Sequence, residues 1–224
     1  LAQGRALKAI DLRMDDDGVL PKSLAEAGGD AAILTPTLHN PTGNIWSEAR
    51  RLDLLSVAAR SGTLVIEDDA YGPLADIQPM AALHSDVSIL FVSTLSKTVA
   101  PGLRTGFIWG RGPIIEKLSS AIYATSWGVA PLMMEVAIQR IEGGMVNEQI
   151  AGQRLEVEAR HRLASAFFPE LRGSPLRLTS SFEHSRRQAY SNWPVFASQG
   201  LQHSQDDQKQ ILAYGSVWVQ RRPG

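Results

Sequence analysis

Three apolar runs, each followed at once by a cluster of polar residues, constrain this 224-residue chain more than any other feature of it. Residues 31–37 (AAILTPT) read as a buried strand that ends in His39-Asn40-Pro41-Thr42-Gly43, where proline fixes φ and glycine admits a positive φ. Residues 63–66 (TLVI) read as a second strand running into Glu67-Asp68-Asp69-Ala70-Tyr71-Gly72. Residues 88–93 (SILFVS) are a third, followed by Thr94-Leu95-Ser96-Lys97. Between the first two lies a helix pattern. Ser47 suits an N-cap, Glu48 the positive end of the dipole, and Leu52, Leu55, Ala58 and Ala59 recur at helical spacing before Gly62 stops the run. Strand, helix, strand is the rhythm of a parallel α/β sheet, and such sheets build their sites where the strands end.

The rhythm continues for three-quarters of the chain. Residues 105–109 suit a fourth strand, 113–123 and 132–141 suit helices, with Pro131 at a helix start and Gly143-Gly144 at a stop, and 149–167 a long charged helix. After about Pro169 the periodicity dissolves, and residues 179–210 are rich in Ser, Gln, Arg and His. The expected division is therefore an α/β unit over 1–168 and a divergent or truncated remnant over 169–224. With 22 Lys+Arg against 23 Asp+Glu, this portion lacks the basic face that nucleic acid demands. No apolar stretch of the ~18 residues needed for a membrane span is present. Cysteine is absent, which removes disulfides and thiolate chemistry, and the chain reads as cytoplasmic. The five histidines show no ligand spacing, so no metal site is expected.

The three clusters complement one another chemically. Lys97 sits among the hydroxyls of Thr94, Ser96 and Thr98, where partial desolvation lowers an amine's pKa and makes it a nucleophile toward carbonyls. Arg104 follows the bend at Pro101-Gly102, and a guanidinium near small hydroxyls suits phosphate oxygens. Asp68 or Asp69 suits a cationic ring nitrogen, while Tyr71 and Asn40 supply donors for an oxygen. An amine, a phosphate grip, a carboxylate and phenol and amide donors together fit pyridoxal phosphate. His39 reads as structural, and Trp46 and Trp127 as packing residues.

HNPTG (39–43), EDDAYG (67–72) and STLSKTVAPGLRTG (93–106), in that order and each after a strand, resemble the fold-type I aminotransferases of class I/II over roughly residues 7–165. ATSWGVAPLMMEVA (124–137) tilts the resemblance toward the aminotransferase-like domains of MocR-type regulators of the GntR family. The resemblance implies a PLP-dependent transferase-like large domain, a mostly parallel sheet with flanking helices. It implies amino-group transfer between an amino acid and a 2-oxo acid through an aldimine on Lys97. Asp68, three before Tyr71, then keeps the pyridine nitrogen protonated, and Tyr71 and Asn40 bind the ring oxygen. Thr94, Ser96 and Arg104 contact the phosphate. A homodimer is implied as well.

Two departures from the family shape the expectation. The Gly-rich phosphate loop, the ring-stacking aromatic and the regulators' winged helix lie upstream of the stretch this chain matches, so it reads as a fragment that binds the cofactor poorly alone and leaves apolar faces uncovered. PLRLTSSF (175–182) resembles the family's substrate-carboxylate segment but arrives early, which makes Arg177 the candidate for that contact. Three functions follow: a transaminase, a regulator's sensing domain for an amine effector, and an inactive remnant. What the reading frame encodes upstream would discriminate them.

Overall fold

The computed structural model describes residues 8–40, 42–84 and 87–167. A short hairpin, β1 (Met14–Asp15) and β2 (Gly18–Val19), leads into α1 (Pro21–Ala27), three elements the sequence pattern did not disclose. Then come β3 (Ala31–Leu34), α2 (Glu48–Ser61), β4 (Leu64–Asp68), a 3-10 turn at Gly72–Leu74, the one-turn α3 (Met80–Leu83) and β5 (Ile89–Thr94). A second 3-10 turn, Pro101–Leu103, precedes β6 (Gly106–Gly110), and three helices follow: α4 (Ile114–Ser126), α5 (Pro131–Glu142) and α6 (Met145–Phe167).

Strands β3 to β6 form one sheet in that order, with β3, β4 and β5 parallel and β6 antiparallel to β5. The fold is the α/β arrangement with a mostly parallel sheet that the sequence predicts. Strand β3 is shorter than the apolar run 31–37 because Pro36 has no N–H for the ladder. Strand β4 instead runs on into the acidic cluster, pairing Glu67 with Leu34 and Asp68 with Val92, since a ladder needs only backbone groups. The link from β5 to β6 holds only a 3-10 turn, too little for the crossover a parallel neighbour requires, so β6 returns antiparallel.

Helix α2 begins and ends as expected. Ser47 accepts from Arg50 N at 3.2 Å, and Gly62 takes the left-handed conformation (φ 68°) that closes the last turn. Its buried face differs from the expected stripe: Arg51, Leu54, Leu55, Val57 and Ala58 are buried, while Leu52 and Ala59 face outward. The stripe is rotated because an arginine occupies one of its core positions. Leu34, Leu54, Leu55, Val65 and Met80 are fully buried between α2, α3 and the sheet, and each such side chain contributes roughly 1.5–3 kcal/mol by leaving water. Trp46 packs into this core against Gly18, as its reading required. A second cluster, Leu95, Val99, Leu103, Ala137 and Val146, joins the segment after β5 to α5 and α6. The uncovered apolar faces are present too: Phe107, Ile108 and Trp109 of β6 and Tyr123 of α4 are exposed.

Arg51 shares its burial with two carboxylates. Desolvation lowers its pKa while attraction to Glu67 and Asp69 opposes that shift. Glu67 accepts from Met80 N at 2.7 Å and Ala81 N at 2.9 Å, yet burial pushes its carboxyl up to about 7. Between the ordinary value of 4.5 and about 7 the folded chain holds a proton that the unfolded chain has released. Stability therefore falls as pH rises through that window, by at most roughly 3 kcal/mol. Asp68 and Asp69, raised by burial, act in the same direction. Urea unfolding is expected to give a lower free energy at pH 7.5 than at pH 5, and Glu67→Gln is expected to remove most of that difference. A flat profile in the unaltered chain would contradict this account.

Candidate functional site

The parallel strands deliver the three clusters to one edge of the sheet. Asn40 follows β3, Asp68 ends β4 with Tyr71 beyond it, and Thr94 ends β5 with Ser96 and Lys97 beyond it. Because β6 is antiparallel and Gly106 pairs with Thr94, Arg104 also comes back to this edge. Carboxyl-terminal strand ends are where α/β sheets bind ligands.

Spacing to Tyr71 favours Asp68 over its neighbour Asp69, and the pleat that runs through the end of β4 separates the two. Asp69 is buried with Glu67 and Val65, where burial raises its pKa and the Thr37 hydroxyl and the Arg51 charge oppose the rise. Its Oδ1 has no hydrogen-bond partner among the described residues. Asp68 is half-buried on the opposite side, where burial raises its pKa and a bond from Ala70 N (3.3 Å) and the charge of Lys97 oppose the rise. Asp68 is thus the carboxylate that senses Lys97.

Lys97 Nζ lies 5.5 Å from the centroid of the Tyr71 ring, a cation–π approach. Lys97 itself is exposed, contrary to the desolvated lysine that the apolar strand before it suggested. The reason is local: the chain turns after Thr94, buries Leu95, Thr98 and Val99, and turns Lys97 outward. Thr94 Oγ1 donates to Thr105 O at 2.9 Å and accepts from Ser96 N at 3.1 Å, so its single proton is already used on the main chain. Arg104 is exposed and adopts φ 49°, and Leu38, just before His39-Asn40, adopts φ 52°. Left-handed backbone costs a non-glycine residue on the order of 1–2 kcal/mol and is held where surrounding contacts over-determine it. Around Asn40, His39 Nδ1 pairs with Thr42 Oγ1 at 2.9 Å and Gly43 N donates to His39 O, which bears out a structural His39.

Sequence reasoning missed the network beneath this edge. Arg51 donates to Trp46 O, Gln78 O, Pro36 O and Thr37 Oγ1, all between 2.9 and 3.0 Å. The available signal was an arginine three and four residues before Leu54 and Leu55, on the helix's apolar side. Trp127 is corrected: it is 79% exposed and touches Tyr123 at 5.2 Å between ring centroids, because it caps α4 in the left-handed region (φ 58°) rather than entering the core. Arg177 and the whole of 169–224 lie outside the described residues.

The family of class I and II aminotransferases matches residues 11–163. This chain belongs to that family. Its relatives are of two kinds. An uncharacterized HTH-type transcriptional regulator of Bacillus subtilis, YisV, is 32% identical over 76% of this chain and 37% of its own length. Aromatic-amino-acid aminotransferase 1 of Thermococcus litoralis is 29% identical over 63% of this chain and 37% of its own length. Among solved structures, Pyrococcus horikoshii kynurenine aminotransferase, in complex with PMP, superposes with a TM-score of 0.62 at 29% identity, covering 70% of this chain and 42% of that one. The chain thus spans about a third of the length of these curated relatives.

In this family member Gly72 makes the tightest approach at the site: a Cβ there would overlap the Asp69 carboxylate. Asp69 is short and buried, so it has little room to yield. Gly72→Ala is expected to lower unfolding free energy by about 1–3 kcal/mol and, through its neighbour Tyr71, to disturb the Lys97 contact. Equal stability of the two proteins by urea titration would show that the Asp69 carboxylate moves freely.

Proposed function

We propose that this chain is the cofactor-binding portion of a pyridoxal-phosphate-dependent, aminotransferase-like protein acting on an amino acid and a 2-oxo acid, with Lys97 as the attachment residue. The observation that carries the reading is the Lys97 amine over the Tyr71 ring with the half-buried Asp68 carboxylate in electrostatic reach. An amine, a phenol, a carboxylate, hydroxyls and a guanidinium on one sheet edge form the donor set that such a cofactor requires. When bound, pyridoxal phosphate supplies an electron sink for negative charge at the substrate's Cα.

The chain's residues divide that work. Asp68, an anion partly withdrawn from water, holds a proton on the ring nitrogen. Tyr71 Oη and Asn40 Nδ2 donate to the ring oxygen. Ser96 Oγ and Arg104 bind the phosphate, and Thr94 joins them by exchanging its bond to Thr105 O. Lys97 Nζ, exposed and able to move, takes and returns the Cα proton. The exposed apolar side chains of β6 and α4–α6 support a homodimer. A second reading has the same residues detect an amine effector in a MocR-type regulator, and the regulators' match over more of the chain favours it.

Incubation of the chain with excess pyridoxal phosphate, borohydride reduction and peptide mapping is expected to label Lys97, and Lys97→Ala to lose the label. In a complex that exchanges the Cα proton of an amino acid, Asp68→Ala is expected to cost about 3–5 kcal/mol of that step. Asp69→Ala is expected to act on stability instead. Label confined to another lysine, or equal effects of the two aspartates, would overturn the assignment. Transfer of the amino group to a 2-oxo acid separates enzyme from sensor.

A further inference from the structure

Helix α6 places three polar side chains against the segments that carry Lys97 and Tyr71. Gln149 Nε2 donates to Val99 O at 2.7 Å, and Gln153 Nε2 donates to Thr98 O at 2.9 Å. These glutamines are four apart and share one helix face, and the two carbonyls are consecutive in the chain just after Lys97. Arg154, beside Gln153, donates from Nη2 to Pro73 O at 2.7 Å and Ala75 O at 3.4 Å, and from Nε to Pro73 O at 3.2 Å. Its Nη1 lies 3.8 Å from Asp76, a carboxylate almost fully in water that adds little.

The segments so held belong to different strands. Residues 71–76 follow β4 and residues 95–100 follow β5, and Lys97 approaches Tyr71 across them. A lone cation–π contact at an exposed site is weak, so it does not by itself fix the separation of two loops. Helix α6 is already anchored by Val146, which packs in the cluster of Leu95, Val99, Leu103 and Ala137. The polar contacts lie beyond that anchor, further along the helix. They act on main-chain carbonyls, which fixes where each loop sits along the helix.

We propose that Gln153 and Arg154 are positioning residues, which set the placement of the Lys97 amine against the Tyr71 ring by tying both loops to adjacent residues of one helix. The consequence for chemistry rests on the reading of Lys97 as attachment residue; the brace itself does not.

Two measurements on the full chain test this. Gln153→Met and Arg154→Met keep an unbranched stem and remove the donors. The Leu74 and Ala75 amides close the turn onto Tyr71 O and Gly72 O, and the Val99 and Ala100 amides bond to Leu95 O. In Arg154→Met the first pair is expected to exchange with deuterium about ten- to a hundredfold faster, the loss of a charged donor. In Gln153→Met the second pair is expected to exchange about fivefold faster, with the amides of β4 unchanged in both. In parallel, with pyridoxal phosphate and borohydride, the ratio of label on Lys97 to label on Lys117 is expected to fall severalfold in each variant and to recover in Arg154→Lys. Unchanged exchange overturns the brace. Faster exchange with an unchanged Lys97 share overturns the positioning role. No label on Lys97 in the unaltered chain overturns the attachment reading instead, and the exchange rates then decide the brace alone.

Discussion

Arg51 is a cation buried in the apolar face of α2, and the loops around it are shaped by the need to satisfy its donors. An uncompensated buried charge costs about 3–5 kcal/mol, so the chain folds its carbonyls toward the guanidinium. Pro36 and Thr37 come from the end of β3, Trp46 from the turn before α2, and Gln78 from the segment before α3. One side chain therefore fixes where the loop leaving β3 begins and where the segment between β4 and α3 ends. Glu67 and Asp69 balance its charge from the same side of β4.

That arrangement leaves the other side of β4 to the site. A strand alternates its side chains, so committing Glu67 and Asp69 to Arg51 turns Asp68 the opposite way, toward Lys97. The buried carboxylates and the half-buried one thus have different tasks although they are adjacent in sequence. The same division holds after β5, where Leu95, Thr98 and Val99 are buried and Lys97 is turned out between them. Structure below the edge and chemistry above it are built from neighbouring residues of the same short motifs.

The order of strands, the cap at Ser47, the stop at Gly62 and the positions of the polar clusters were legible in the sequence, because each follows from local rules: alternation, capping and turn chemistry. The hairpin Met14–Val19 and α1 were not, since strands of two residues and a helix of seven carry too little periodicity. The rotated stripe of α2 was missed for a related reason. A pattern of apolar residues assigns arginine to water, and only the carbonyls gathered around Arg51 reverse that assignment. Trp127 shows the opposite case, a large aromatic read as a packing residue by its type and found at an exposed helix cap against Tyr123.

By itself the sequence determined the family, the sheet class and the polar clusters that follow the strands, because those depend on motifs whose order and spacing are written in the chain. Tertiary structure alone decided that Asp69 is committed to the buried side with Arg51, that Thr94 spends its proton on Thr105 O, that Lys97 is exposed, and that α6 grips both loops. The physical reason is distance along the chain. Gln153 and Arg154 meet carbonyls 55 and 81 residues away. No local pattern of helix or strand encodes a pairing that exists only once the sheet and the helix have been brought together.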